Sequence, residues 1–327
     1  MNAQRKLIRL QQFNNTNVTT DTGMTVEMKT FYDKTLIKLA KANLVHDQFA
    51  QKKPIPKNGG KTIEFRKYDP LPKATTPLVE GVTPNGKKLN VTNILATVDQ
   101  YGDYVELSDM LIMTAIDNNV VEATEQISDQ AGRTLDTITR DAIAAGTNVI
   151  YCGGKTSRKS LTTADTLKPI YFERAATQLK AANAPTINGS YVAIIHPYAS
   201  FDLRTSPEWI EVHKYADATP IFEGEIGKLG NVRFVESTEA KIWKDDTCPT
   251  DLAVFSTVVL GKNAYATTDV EGGGLQTIIK QLGAGDDPLN QRATVGWKAT
   301  KVSEILTEAY MVRIESISDY SAEAEAN

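Results

Sequence analysis

The sequence predicts an α+β fold with long strands toward both ends and one long helix between them. Three observations predict it. Apolar and polar residues alternate in KTIEFRK (61–67), in NILATVDQYGDYVEL (93–107), and in RATVGWKATKVSEIL and EAYMVRIESI within 291–317. Period-two alternation marks a strand with one buried face. Val120, Ala123, Ile127, Ala131, Leu135, Ile138 and Ala142 recur at three- and four-residue steps, the stripe of an amphipathic helix. Residues 147–290 mix short apolar strands with helical segments.

Taken in order, residues 1–23 are polar and aperiodic and predict a mobile arm. Met24, Met28, Phe31, Leu36, Leu39 and Ala40 predict a helix over about 24–42, and Pro54 and Pro56 close that section. The alternating runs at 61–67 and 93–107 flank DPLPKATTPLVEGVTPNGKKLN, which holds Pro70, Pro72, Pro77 and Pro84, with a turn expected at Pro84-Asn85-Gly86. So long a connection is foreign to a compact domain, and an isolated two-stranded ribbon is marginal in water. The two facts together predict a projecting hairpin arm that gains stability by lying on another molecule.

Ser108 should cap a short helix, with a break and a new cap at Asp117-Asn118-Asn119. The long helix follows, with Gly146 placed as a left-handed C-terminal residue. Residues 168–182 and YASFDLRTS read as helices, and YVAIIHP (191–197) and LAVFSTVVLG (252–261) as buried strands. EGGGLQTIIKQLGAGDDPLN (271–290) reads as a glycine-punctuated hairpin or loop. The terminal alternating strands should break near Val302.

The net charge of −4 hides an asymmetry. Residues 1–100 carry 16 Lys and Arg against 8 Asp and Glu, and the remainder carries 20 against 32, so the two parts stand at +8 and −12. A basic third on an acidic body suits a nucleic-acid-facing arm, a solvated face, or an arm lying across the acidic surface of a neighbouring copy. The ribbon argument favours the neighbour. No apolar run reaches the ~18–20 residues of a membrane helix, and the first residues lack the apolar segment of a signal peptide, so synthesis inside a cell is expected.

Catalytic chemistry finds little support. Cys152 and Cys248 match no metal spacing and are expected to be unpaired thiols. His46, His196 and His213 form no paired-ligand motif. His196, at the end of a buried strand, is expected to be structural. FEGEIGKLGNVRFVE (222–236) is the best candidate for a phosphate loop, but Leu229 stands where the hydroxyl is needed after Gly227-Lys228, and a strand pattern follows where a helix is needed. Gly224, Gly227 and Gly230 are therefore expected to make tight turns before a strand at 231–236, with Lys228 on the surface.

Five strings carry a resemblance: TVEMKTFYDKTLI (25–37), GGKTIEFRKYDPLPKATTPLVEGVTP (59–84), QYGDYVELSDML (100–111), IIHP (194–197) and GEIGKLGNVRFVES (224–237). In this order they resemble the major capsid proteins of tailed bacteriophages, those of the phage N-four type, with the Hong Kong 97-like capsid fold. The resemblance covers about residues 20–315. It implies an N-terminal arm (1–56), an extended β-hairpin loop (57–107), a peripheral domain with a long spine helix (108–165 and 291–327) and an axial α/β domain (166–290). It implies a shell of hexamers and pentamers around double-stranded DNA, and no enzyme, cofactor or metal.

On this reading Lys61, Arg66, Lys67, Lys73, Lys87 and Lys88 are expected to meet Glu122, Glu125 and Asp129 of an adjacent copy. Arg5, Lys6 and Arg9 would touch packaged DNA without sequence preference. Portal, scaffold and decoration proteins are the further partners implied, the virion is the implied location, and assembly would take place in the host cytoplasm. An encapsulin-like compartment without DNA is the alternative on the same fold, and a nucleotide-binding enzyme is the alternative on another.

Overall fold

The computed structural model describes residues 44–327 apart from 69–70, 79, 84, 115–118, 214–224 and 284–286. The helix expected over 24–42, Arg5, Lys6, Arg9, Pro84, the Asp117-Asn118 break and Gly224 lie outside the described residues. In chain order the elements are β1 (Gln51–Lys52), β2 (Thr62–Tyr68), β3 (Val91–Thr97), β4 (Asp99–Ser108), α1 (Asp109–Thr114), α2 (Asn119–Ala144) and β5 (Val149–Tyr151). Then come α3 (Pro169–Ala181), β6 (Tyr191–Ile195), α4 (Pro197–Thr205), α5 (Pro207–His213), β7 (Glu225–Leu229), β8 (Val232–Glu236) and β9 (Ile242–Trp243). β10 (Val254–Leu260), β11 (Tyr265–Thr268), β12 (Gln276–Lys280), β13 (Arg292–Ile305) and β14 (Met311–Ser316) complete the order.

The 14-residue strand β13 organises the first sheet. Its alternation puts Ala293, Val295, Trp297 and Ala299 on a buried face. One edge pairs with β4 from Arg292↔Ser108 to Lys301↔Asp99. The other pairs first with β12 and then with β11, which in turn pairs with β1. The helix α2 lies on the buried face. Ala123, Ile127, Ala131 and Leu135, four residues of the predicted stripe, pack against Leu107, Val295, Trp297 and Ala299. The indole of Trp297 donates to Gln130 Oε1 at 3.3 Å, so its one polar atom is satisfied as it is buried. At 1.5 Å per residue, 26 residues make a rod of roughly 39 Å.

The second sheet has the order β5-β14-β10-β6-β8-β7, with β9 also on β10. β6 and β10 are buried at every position, as strands covered on both faces must be. One face packs on Phe172, Ala175 and Leu179 of α3, Leu203 of α4 and Trp209 of α5. The other meets Ile143 at the end of α2, Phe49 and Tyr265. So α2 packs on both sheets. Strand pairing places β5 and β14 in this second sheet, and β11 and β12 in the first. Pro169, Pro197 and Pro207 each begin a helix, where the missing N–H costs no hydrogen bond.

Several expectations need correction. The run 93–107 is two strands that part at Val98: β3 pairs with β2, whereas β4 pairs with β13. β13 runs through Val302 without a break, because β11 takes up pairing on one edge where the β4 ladder ends on the other; the chain turns only at Glu308–Tyr310. Gly146 is not left-handed. It packs closely there instead: a Cβ would lie 2.9 Å from Met311 Cε and 3.3 Å from the Ile143 carbonyl. Gly227 lies inside β7 at a register shift between Glu225 and Gly227, not in a turn. Gly230, at φ 55°, does make the hairpin turn into β8. No turn forms at Asn85-Gly86; the turn in that loop falls at Glu80-Gly81, where Gly81 takes φ 79°.

Candidate functional site

The ribbon is an exposed element that carries charge. β2 and β3 pair in register from Thr62↔Thr97 to Tyr68↔Val91 and form a sheet of their own. Its base is seated on the body: Phe65 and Ala96 pack on Ala266, flanked by Val302 and Leu306. Above that base little covers it. The loop 71–90 is exposed at every described residue. Leu78 is 77% exposed, and Leu71, Val82 and Leu89 each exceed half. A segment with four bare aliphatic side chains and no regular hydrogen bonding lacks a stabilising surface within its own subunit.

The predicted contact residues separate into two sets. Lys61, Arg66, Lys73, Lys87 and Lys88 are exposed on the ribbon and Lys67 is half-buried. Arg66 Nε lies 3.6 Å from Glu64 of its own strand, and Lys87 Nζ donates to the Pro72 carbonyl at 3.3 Å. Glu122, Glu125 and Asp129 are exposed on α2. Asp129 lies 4.0 Å from Arg133 one turn on. Among the described residues no ion pair joins the two sets within one chain.

The face of the first sheet turned away from α2 is open. A groove of about 850 Å3 runs along it, lined by Gly102, Tyr104, Glu106, Ile278, Lys280 and Lys298 among others. Its depth comes from two glycines. A Cβ on Gly296 would lie 2.8 Å from Tyr104 Cβ, and one on Gly102 would lie 2.6 Å from the Trp297 carbonyl. The strands approach closely because neither glycine carries a side chain.

Sequence reasoning missed the buried ionic groups that join the pieces. Asp136 of α2 holds His46, accepting from its backbone N–H at 2.8 Å and lying 2.6 Å from its Nδ1. Asp47 pairs with Lys301 of β13 at 2.6 Å and accepts from Thr139 at 2.5 Å. Glu315, fully buried in β14, accepts from Arg158 at 2.7 Å and from Arg313 at 2.9 Å. Arg313 then donates to the Ala144 and Gly146 carbonyls at the end of α2, serving the orphan acceptors there. Apart from Arg313 and Glu315, two residues apart on β14, the partners are 90 to 254 residues away in sequence, so no local signal marks them.

His46, His196 and both cysteines have structural surroundings. His196 ends β6 and caps α4, its Nδ1 accepting from the Tyr198 N–H at 3.2 Å. Burial lowers its pKa to about 4. Cys152 and Cys248 are free and buried, and burial pushes both thiols up. His46 is held in the Asp136 pair, and the side chain of His213 lies outside the described residues. Among the described residues no cluster of three metal-ligating side chains occurs, and no helix is long and apolar enough to cross a membrane.

A family model for phage capsid proteins matches residues 92–312. The chain belongs to that family. The match spans the first sheet apart from β1, α2 and nearly all of the second sheet, so it rests on most of the body and not on one motif. Among solved structures, the chain is similar to the capsid of Ralstonia phage GP4 at 17% identity and TM-score 0.67, covering 85% of this chain and 90% of that one. The capsid of the cyanophage P-SCSP1u is similar at 16% identity and TM-score 0.63, over 83% and 87% of the two chains. That of the cyanophage Pam1 is similar at 14% identity and TM-score 0.62, over 84% and 90%. At such identities the likeness is one of fold. No curated protein matches the chain. The capsid protein thus has the Hong Kong 97-like architecture that the resemblance implied.

Proposed function

We propose that this capsid protein is the major shell subunit, and that its copies close into an icosahedral head through hexamers and pentamers around double-stranded DNA. The observation that carries the assembly reading is the ribbon. It is seated at its base, bare along its length, and basic where α2 presents Glu122, Glu125 and Asp129. A neighbouring copy supplies the surface it lacks, with the charged sets meeting between subunits. In this reading residues 57–107 are the extended loop, 108–165 and 291–327 the peripheral domain with α2 as its spine helix, and 166–290 the axial domain.

The reading assigns no reaction to the chain. Portal, scaffold and decoration proteins would join the shell, the first residues would contact the packaged DNA through Arg5, Lys6 and Arg9, and assembly would take place in the host cytoplasm. Negative-stain electron microscopy of the purified full-length chain tests it. Closed shells are expected. A small oligomer that never forms shells and co-purifies with a small molecule overturns it.

A further inference from the structure

The chain contains three asparagine-glycine steps: Asn58-Gly59, Asn85-Gly86 and Asn188-Gly189. Such a step can close on itself. The backbone nitrogen of the glycine, once deprotonated, attacks the asparagine side-chain carbonyl carbon. The bond from that carbon to the side-chain nitrogen breaks, and ammonia leaves. Water then opens the resulting succinimide at either carbonyl, giving aspartate or isoaspartate. The net change is one amide and one water to one carboxylate and ammonium. Glycine permits it because it carries no side chain to shield the nitrogen and its backbone is freely adjustable.

The fold treats the three steps differently. The Gly59 N–H is engaged by the Pro56 carbonyl at 2.8 Å, and Asn58 is held at φ 67°. Asn188 and Gly189, at φ 49° and 80°, form a two-residue turn closed by Ile187 and Ser190 through hydrogen bonds of 2.8 and 3.1 Å. Ring closure at Asn58 must first free the Gly59 N–H, and at Asn188 it must distort the turn that the Ile187 and Ser190 bonds close. Asn85-Gly86 has no such restraint. Both residues are exposed and outside any strand, helix or turn, and no heavy atom lies within 4 Å of a Cβ placed on Gly86. Among the described residues the Gly86 N–H makes no hydrogen bond. Lys87 and Lys88 follow directly, and nearby cations favour the anionic nitrogen and the anionic addition intermediate.

We propose that Asn85 is a spontaneous deamidation site, selected from the three by the fold, that adds a negative charge to the basic ribbon. The test uses the full-length chain at a concentration that keeps it unassembled. It is incubated at mildly alkaline pH, folded and in urea, and the three peptides are followed by mass spectrometry with isoaspartate detection. In urea all three sites should convert. In the folded chain Asn85 should keep its urea rate, whereas Asn58 and Asn188 should slow about tenfold or more, as sites that require local opening do. Gly86→Ala should retain the fold, because the added methyl meets open space, and should slow Asn85 conversion. Protection of Asn85 in the folded chain, or equal folded-state conversion at all three sites, overturns the proposal.

Discussion

Asp47 and Lys301, 254 residues apart, form an ion pair of 2.6 Å buried between the start of the described chain, α2 and β13. Lys301 also donates to the Leu135 carbonyl at 2.9 Å, so the ammonium ties helix and strand together. Removing one partner of a buried pair leaves the other charged and unsolvated. Lys301→Met should therefore destabilise the chain by about 3–5 kcal/mol. Adding Asp47→Leu should recover much of the loss. Urea unfolding midpoints of the two variants measure it, and a double variant no more stable than the single would show that the charge is not the cause.

His196 makes stability depend on pH. Burial holds its folded pKa near 4 against an ordinary 6.5, and its Nδ1 must be unprotonated to cap α4. The unfolded chain therefore binds more protons than the folded one between these values. Stability is intact above pH 6.5 and falls as pH drops toward about 4, by up to about 3 kcal/mol from this group. His196→Asn keeps a capping acceptor and should flatten that part of the curve. Thermal melts of both chains across this window, read as a difference, check it.

Arg313 closes the C-terminal end of α2 and is itself held by Glu315. Arg313→Met should cost about 3–5 kcal/mol and fray the last turn of the helix. Arg313→Lys should rescue little, because a single ammonium lacks the planar fork that reaches two carbonyls and a carboxylate at once. Circular dichroism during urea unfolding distinguishes full rescue from none.

The ribbon charges should govern assembly and not folding. Reversing Lys61, Arg66, Lys73, Lys87 and Lys88 together to glutamate should leave a folded, soluble subunit that forms no shells. Single reversals should do little, because exposed ion pairs are individually weak. Sedimentation with electron microscopy reads the result, and normal particles from the multiple variant would remove the proposed interface.

Much of this fold was legible in periodicity. The stripe from Val120 to Ala142 became α2, and the alternation of KTIEFRK became β2. These patterns are readable because one face of each element must be apolar whatever it packs against. Partner choice was not readable. The split at Val98 and the unbroken passage of β13 through Val302 depend on which strand lies alongside. Asn85-Gly86 follows a strong local turn signal, yet the turn settled at Glu80-Gly81. The basic and acidic sets were legible as composition, but no pairing between them can be read from one chain.

By itself, the sequence determined where the long helix and the alternating strands form, that the ribbon is basic, and that FEGEIGKLGNVRFVE lacks the chemistry of a phosphate loop. Each of these follows from local spacing and residue type. Only the tertiary structure decided which strands share a sheet, which glycines serve packing instead of turning, and that His46, Asp47, Asp136, Lys301, Arg313 and Glu315 are buried in pairs. Their burial, and the pairing of His46 with Asp136, Asp47 with Lys301 and Glu315 with Arg158, depend on groups brought together from far apart in the chain, which local sequence does not encode.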